Sequence, residues 1–289
     1  MKIFLLIFLF LSSVFNSFTQ RLHVGVAGGL ANYNGDLLEK LYVGKQTNGF
    51  IGLTLHYEIY DQLLLRAAFN FARVNGSDSY NAKTVLKARN LHFESAISEF
   101  SVVGEFYLFN LNERKFSPYG FAGLALYHFN PYTFDTAGKK IFLKPLSTEG
   151  QGIYANKKPY SLTQVAFPFG GGIKYAITEN IRVGIEFGFR KLFTDYLDDV
   201  STSYADYNDL LAAKGPVATE ISYRGDEIPG GNPAYPAKDI QRGSSSQKDD
   251  YYFTGLNISI RLGNDGGGSR GGYRASGKKN KFGCPTVPF

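Results

Sequence analysis

The chain has 289 residues, 44% of them apolar and 16% aromatic without a single Trp, and a formal net charge of +6. Its mean hydropathy is −0.17, and past the first residues no stretch approaches the ~20 apolar residues of a membrane helix, which excludes a helical membrane protein. The one cysteine, Cys284, has no possible partner within the chain.

The chain opens MKIFLLIFLFLSSVFNSFTQ. Lys2 supplies a positive start, residues 3–11 an apolar run, and 12–20 a more polar exit. This is the pattern of a secretory signal peptide over 1–20, and the apolar run is too short to span a membrane. Cleavage is expected near 17–20, although no clean Ala-x-Ala site is present. Export follows, into a compartment where a disulfide can persist.

From 21 to 262 the sequence alternates with period two, the signature of strands whose side chains point to opposite faces at each step. After a less regular run at 22–33, Ile51, Leu53, Leu55, Tyr57 and Ile59 share a face against Thr54, His56 and Glu58. Leu65, Phe69 and Phe71 then oppose Arg66 and Asn70. Phe100, Val102, Phe106 and Leu108 oppose Glu99, Ser101 and Glu105. A second irregular run covers 117–129. Beyond it Val165, Phe167, Phe169, Ile173, Tyr175 and Ile177 oppose Lys174, and Ile181, Val183, Ile185, Phe187 and Phe189 oppose Arg182, Glu186 and Arg190. The last run sets Tyr252, Leu256, Ile258, Ile260 and Leu262 against Asn257, Ser259 and Arg261.

Eight such strands, each near the ~9–11 residues that a tilted membrane strand needs, predict an all-β fold. Short connections at 60–62, 110–115 and 178–180 alternate with long ones near 36–47, 75–89, 131–163 and 195–249. The expectation is an eight-stranded antiparallel up-and-down transmembrane β-barrel with short periplasmic turns and long extracellular loops. An even strand number leaves both termini periplasmic. A soluble lipocalin-like barrel would show the same alternation with its faces reversed. Charges of both signs on one face and large aromatics on the other favour the membrane form. Tyr57, Tyr107, Tyr175 and Tyr252, near strand ends, are expected in interfacial girdles.

Eight strands leave room for side chains or one small ligand. Arg66, Glu99, Glu105, Lys174, Arg182, Glu186, Arg190 and Arg261 are therefore expected to form a paired charge network in the lumen, since an unpaired buried charge is costly. Neither a conducting channel nor a small-molecule substrate is expected. No catalytic set stands out: His23, His56, His92 and His128 lack metal-ligand spacing, and His92 with Ser95 is merely available. Gly170 to Gly172 and Gly266 to Gly268 introduce no helix, so they are not phosphate loops. The reading is of a protein that is not an enzyme and needs no cofactor. Asp195, Asp198 and Asp199 lead into the longest loop and are a weak candidate for Ca²⁺. Solvated turn residues would explain them equally well. The loop itself is a candidate contact surface, and its proline- and glycine-rich part at 225–239 reads as irregular and extended.

Residues 263–289 break the pattern and hold five basic residues against one Asp. A basic Gly/Ser-rich run reads as a flexible linker favouring an acidic partner or anionic lipid headgroups, not nucleic acid. An odd cysteine in an exported protein implies an intermolecular disulfide or a free thiol. Cys284, with Phe282 and Phe289 as apolar anchors and Lys278, Lys279 and Lys281 before it, looks like a short docking peptide. A disordered tail with an incidental cysteine is the plainer alternative.

The segment FTDYLDDVS after a GFRKL strand, and the ending KKNKFGCP, resemble the PorG-like outer-membrane barrels of the type IX secretion and gliding apparatus. The resemblance implies a non-enzymatic component in the outer membrane of a Gram-negative cell. It implies association with a periplasmic ring built from a lipoprotein and a partner protein, and makes Cys284 a plausible covalent link to the lipoprotein. The alternative is a stand-alone small barrel whose outward loops serve adhesion or ligand capture.

Overall fold

The computed structural model describes residues 22–38, 42–81, 83–246 and 248–262. In chain order the strands are β1 (Leu22–Asn34), β2 (Asn48–Tyr60), β3 (Leu63–Ser77), β4 (His92–Tyr107), β5 (Phe116–Phe134), β6 (Lys140–Phe142), β7 (Thr163–Ala176), β8 (Ile181–Leu192) and β9 (Asp250–Leu262). All pairs are antiparallel. β1 joins β9 from Leu22↔Leu262 to Asn34↔Asp250, and β4 joins β5, so eight long strands close into a barrel. β6 is a short extra strand against the upper end of β5. Leu22 and Leu262 lie at the same end as the turns β2–β3, β4–β5 and β7–β8.

The faces fall as the alternation requires. Val26, Leu53, Phe71, Phe100, Leu124, Ile173, Ile185 and Leu256 are exposed on the outside; Leu256 is 64% exposed and Ile51 66%. Arg66, Glu99, Glu105, Lys174, Arg182 and Arg190 are buried on the inside. An unbroken apolar band around a closed wall is unstable in water and suits a lipid belt. The lipocalin arrangement, with its apolar face inward, is excluded.

Three strands outrun their sequence signal. β3 continues to Ser77, β4 starts at His92, not near 97, and β5 runs on to Phe134. Their extensions place Arg73, Glu94 and Asn130 on the outer face, where apolar residues would be needed only in lipid. The alternation therefore stops where the lipid belt stops, while the hydrogen-bond ladder goes on. The girdle expectation is corrected at Tyr107, which points into the lumen and is 1% exposed, and at Tyr252, which sits on the outer wall but is buried beside Phe187 and Phe189.

Inside, large rings sit over glycine pairs. Gly29 and Gly255 face each other across β1–β9, and Phe50 fills the space they leave, stacked on Phe253 at 4.5 Å. A Cβ on Gly255 would lie 2.8 Å from the Phe50 ring. Phe121 fills the same kind of space over Gly170 and Gly188.

The long connections fold into a cap. Tyr33, Phe93, Tyr127, Phe129, Tyr251 and Phe253 at the upper end of the lumen form one apolar cluster with Leu37, Leu91, Leu143, Tyr160, Leu197, Val200 and Ile221 from the loops. Short helices occur there: α1 (Thr84–Arg89), α2 (Tyr207–Lys214) and α3 (Pro216–Ser222). Asp206 caps α2 by accepting from the Asn208 and Asp209 amides, and Pro216 starts α3 after Gly215, whose φ of 82° suits glycine. The loop expected to lack regular structure is thus partly helical and packed on the barrel mouth. Among the described residues no helix is long and apolar enough to cross a membrane.

Candidate functional site

All eight expected lumen residues point inward, in three tiers. At the end nearest the short turns, Glu58 meets Arg182 at 2.6 Å, with Arg261 and His23 each at 3.7 Å. In the middle, Arg66 binds Glu186 through both terminal nitrogens and Glu105 at 3.0 Å, while Lys174 lies 3.5 Å from Glu105. Tyr107 donates to Glu105 and Tyr119 to Glu186. In the upper tier Arg190 binds Glu99, which also accepts from Asn70 and Tyr251. Glu58, His56, Tyr107 and Tyr251 share the lumen parity of the eight, so the same signal covers them, whereas His23 and Tyr119 lie in the two irregular runs.

The network fills the barrel. The lumen cavity lined by Thr54, Arg66, Asn70, Glu186 and Arg190 has a volume of about 30 Å³, room for a water or two. Buried ion pairs in such a space offset each other's desolvation and fix side-chain geometry more than they stabilise. The chemistry is that of a plug. His92 and Ser95 fall on opposite faces of β4, which leaves no acyl-transfer pair there.

Asp195, Asp198 and Asp199 are not solvated turn residues. They are 2%, 1% and 0% exposed, and each accepts hydrogen bonds from the cap. Ser201 donates to Asp195, Tyr33 to Asp198, and Thr148 and Tyr160 to Asp199. Burial pushes Asp195 up to about 7 and Asp199 up to about 6. Beside them Glu149 accepts from the Ser201 and Thr202 amides and pairs with Arg242 at 3.1 Å; Arg89 pairs with Asp78 at 2.7 Å. The acidic run is the internal scaffold of the loop. Among the described residues no group of three or more His, Cys, Asp or Glu side chains could hold a metal ion. Cys284, Phe282, Lys278, Lys279, Lys281 and Phe289, like residues 1–20, lie outside the described residues.

A family model described as "Domain of unknown function (DUF6089)" matches residues 1–214. No curated protein matches the chain. Among solved structures, it is similar to Neisserial surface protein A (11% identity, 83% of this chain, 97% of that one, TM-score 0.41). It is similar to the outer membrane protein OprG of Pseudomonas aeruginosa (11% identity, 84% and 98% covered, TM-score 0.39). A third is Ail, the attachment invasion locus protein of Yersinia pestis, in complex with the heparin analogue sucrose octasulfate (9% identity, 83% and 98% covered, TM-score 0.38). The barrel itself is defined by the chain's own strand pairing.

Proposed function

The chain belongs to the DUF6089 family, and from that premise we propose that it is a non-enzymatic outer-membrane component of a type IX secretion and gliding machine. In this reading it docks the periplasmic lipoprotein-containing ring through residues 263–289. The observation that carries the reading is the disposition of the barrel's ends. Leu22 and Leu262 leave the wall together at the short-turn end, opposite the folded cap. Short turns face the periplasm in outer-membrane barrels, so the basic tail with Cys284 would start beside the ring. The filled lumen favours an anchor over a pore.

Deleting 264–289 tests it. Loss of cargo secretion with the heat-modifiable barrel still in the outer membrane supports docking, whereas unchanged secretion overturns it. Non-reducing gels of outer membranes test the disulfide: an adduct that vanishes with reductant and in Cys284→Ser is expected. The second reading, an adhesin or ligand-binding barrel, is favoured by one observation, the packed cap, which presents a fixed outward surface. Deleting 200–245 would abolish adhesion on that reading and spare secretion on the first.

A further inference from the structure

The 193–249 loop is fastened at its base. Asp198, near its start, and Asp249, at its end, both reach the Tyr33 hydroxyl at the top of β1. The phenol oxygen lies 2.5 Å from Asp198 Oδ2 and 3.1 Å from Asp249 Oδ1. The other carboxylate oxygens accept backbone amides, Val200 N–H to Asp198 at 2.8 Å and Leu197 N–H to Asp249 at 2.9 Å. Tyr33, Asp198 and Asp249 are 0%, 1% and 0% exposed.

A phenol has one hydrogen to donate. With both carboxylates ionised, one of the two contacts would set oxygen lone pairs against each other in a site closed to bulk solvent, which is costly. Two hydrogen bonds at this oxygen require a second proton, carried by one of the two carboxyls. The charged neighbours do not relieve the need. Asp36 from the β1–β2 connection adds negative charge beside both, and Asp195 adds more beside Asp249 once it ionises near pH 7. Arg89 on α1 is the nearby cation, but its guanidinium is committed to Asp78 and the Asp36 carbonyl. Tyr127 of β5 faces Asp249 as a neutral phenol. Among the described residues neither Asp198 nor Asp249 forms an ion pair.

The geometry points to a proton-dependent clamp, in which one proton shared by Asp198 and Asp249 through Tyr33 holds the two ends of the loop together at the barrel mouth, and its loss releases them. Burial, joined by the like charges of Asp36 for Asp198 and of Asp198 for Asp249, holds both carboxyls well above the ordinary range. The closed base therefore keeps a proton that the open base gives up, and opening becomes easier as pH rises. The gain is about tenfold in the opening equilibrium per pH unit, until the closed clamp ionises.

Hydrogen exchange on the full chain in lipid nanodiscs reads this at the Leu197 and Val200 amides, after correction for intrinsic exchange. Between about pH 5 and 8 the wild-type protection is expected to fall by at least about tenfold per pH unit, with Asp195 and Asp199 adding to the slope below about pH 7. Asp249→Asn keeps both contacts, its amide donating to Tyr33 and its carbonyl accepting from Leu197. It should lower that slope by about one proton and keep the base protected at high pH. Asp198→Asn makes the same comparison should the first variant fold poorly. Infrared spectra of the wild type should show a protonated-carboxyl band that Asp249→Asn or Asp198→Asn diminishes. A pH-independent wild-type protection, a slope unchanged in both variants, or the absence of that band would each overturn the clamp.

Discussion

Arg190 on β8 and Glu99 on β4 meet at 3.0 Å across the lumen, between strands that share no edge. Glu99 is 0% exposed, and its two oxygens also take the Asn70 amide and the Tyr251 hydroxyl. Removing the carboxylate alone leaves the buried guanidinium without its counter-charge. Glu99→Ala is expected to cost about 3–5 kcal/mol, and Glu99→Leu with Arg190→Leu to recover most of it. Urea unfolding in lipid vesicles measures both. A single variant no worse than the double would mean the pair is not the upper tie of the plug.

The outer face carries the opposite rule. Leu256 sits midway along β9, 64% exposed, between Gly28 of β1 and Ile185 of β8. Leu256→Arg is expected to destabilise the inserted barrel by about 2–4 kcal/mol, the cost of a cation at the bilayer midplane. Val85→Arg, at an 81% exposed position on α1, should change nothing. Equal effects at the two positions would contradict a lipid-facing belt.

Strand number, closure and the sidedness of the eight lumen charges were legible because lipid and lumen impose opposite chemistry with a period of two. Which charge meets which was not. Arg190 and Glu99 lie 91 residues apart, and their contact depends on how the strands stagger around the barrel. The upper ends of β4 and β5 were hidden because Glu94 and Asn130 stand above the belt. The cap was least legible. Asp198 and Asp199 look like any polar turn until Tyr33, Thr148 and Tyr160 arrive from distant parts of the chain to bury them.

The glycine pairs set a steric prediction. A Cβ on Gly255 would meet the Gly28 carbonyl at 2.5 Å and the Phe50 ring at 2.8 Å, whereas one on Gly104 meets nothing within 4 Å. Gly255→Val is therefore expected to cost at least about 1–3 kcal/mol through overpacking, and Gly104→Ala to fold normally. The fraction of heat-modifiable barrel on gels compares them. Normal yield of Gly255→Val would show that the β1–β9 backbone and Phe50 both give way there.

Asp195 supplies a pH prediction separate from the clamp. Burial raises its carboxyl from the ordinary value to about 7, opposed by the Ser201 hydroxyl, which donates to it at 2.8 Å. When the cap opens, the group returns to water and to an ordinary aspartate value of about 4. The closed cap binds the proton more tightly than the open one, so stability is highest below about pH 4 and declines as pH rises towards about 7. Above that, both states are ionised and this contribution stays lost. Asp195→Asn keeps an oxygen for Ser201 and removes the titration. Protection of the Ser201 amide against hydrogen exchange should then fall less steeply between about pH 4 and 7 than in the wild type, with the curves parallel above it. A variant whose decline matches the wild type throughout would assign the pH dependence to other cap acids, Asp199 first among them, whose own value of about 6 falls inside the same window.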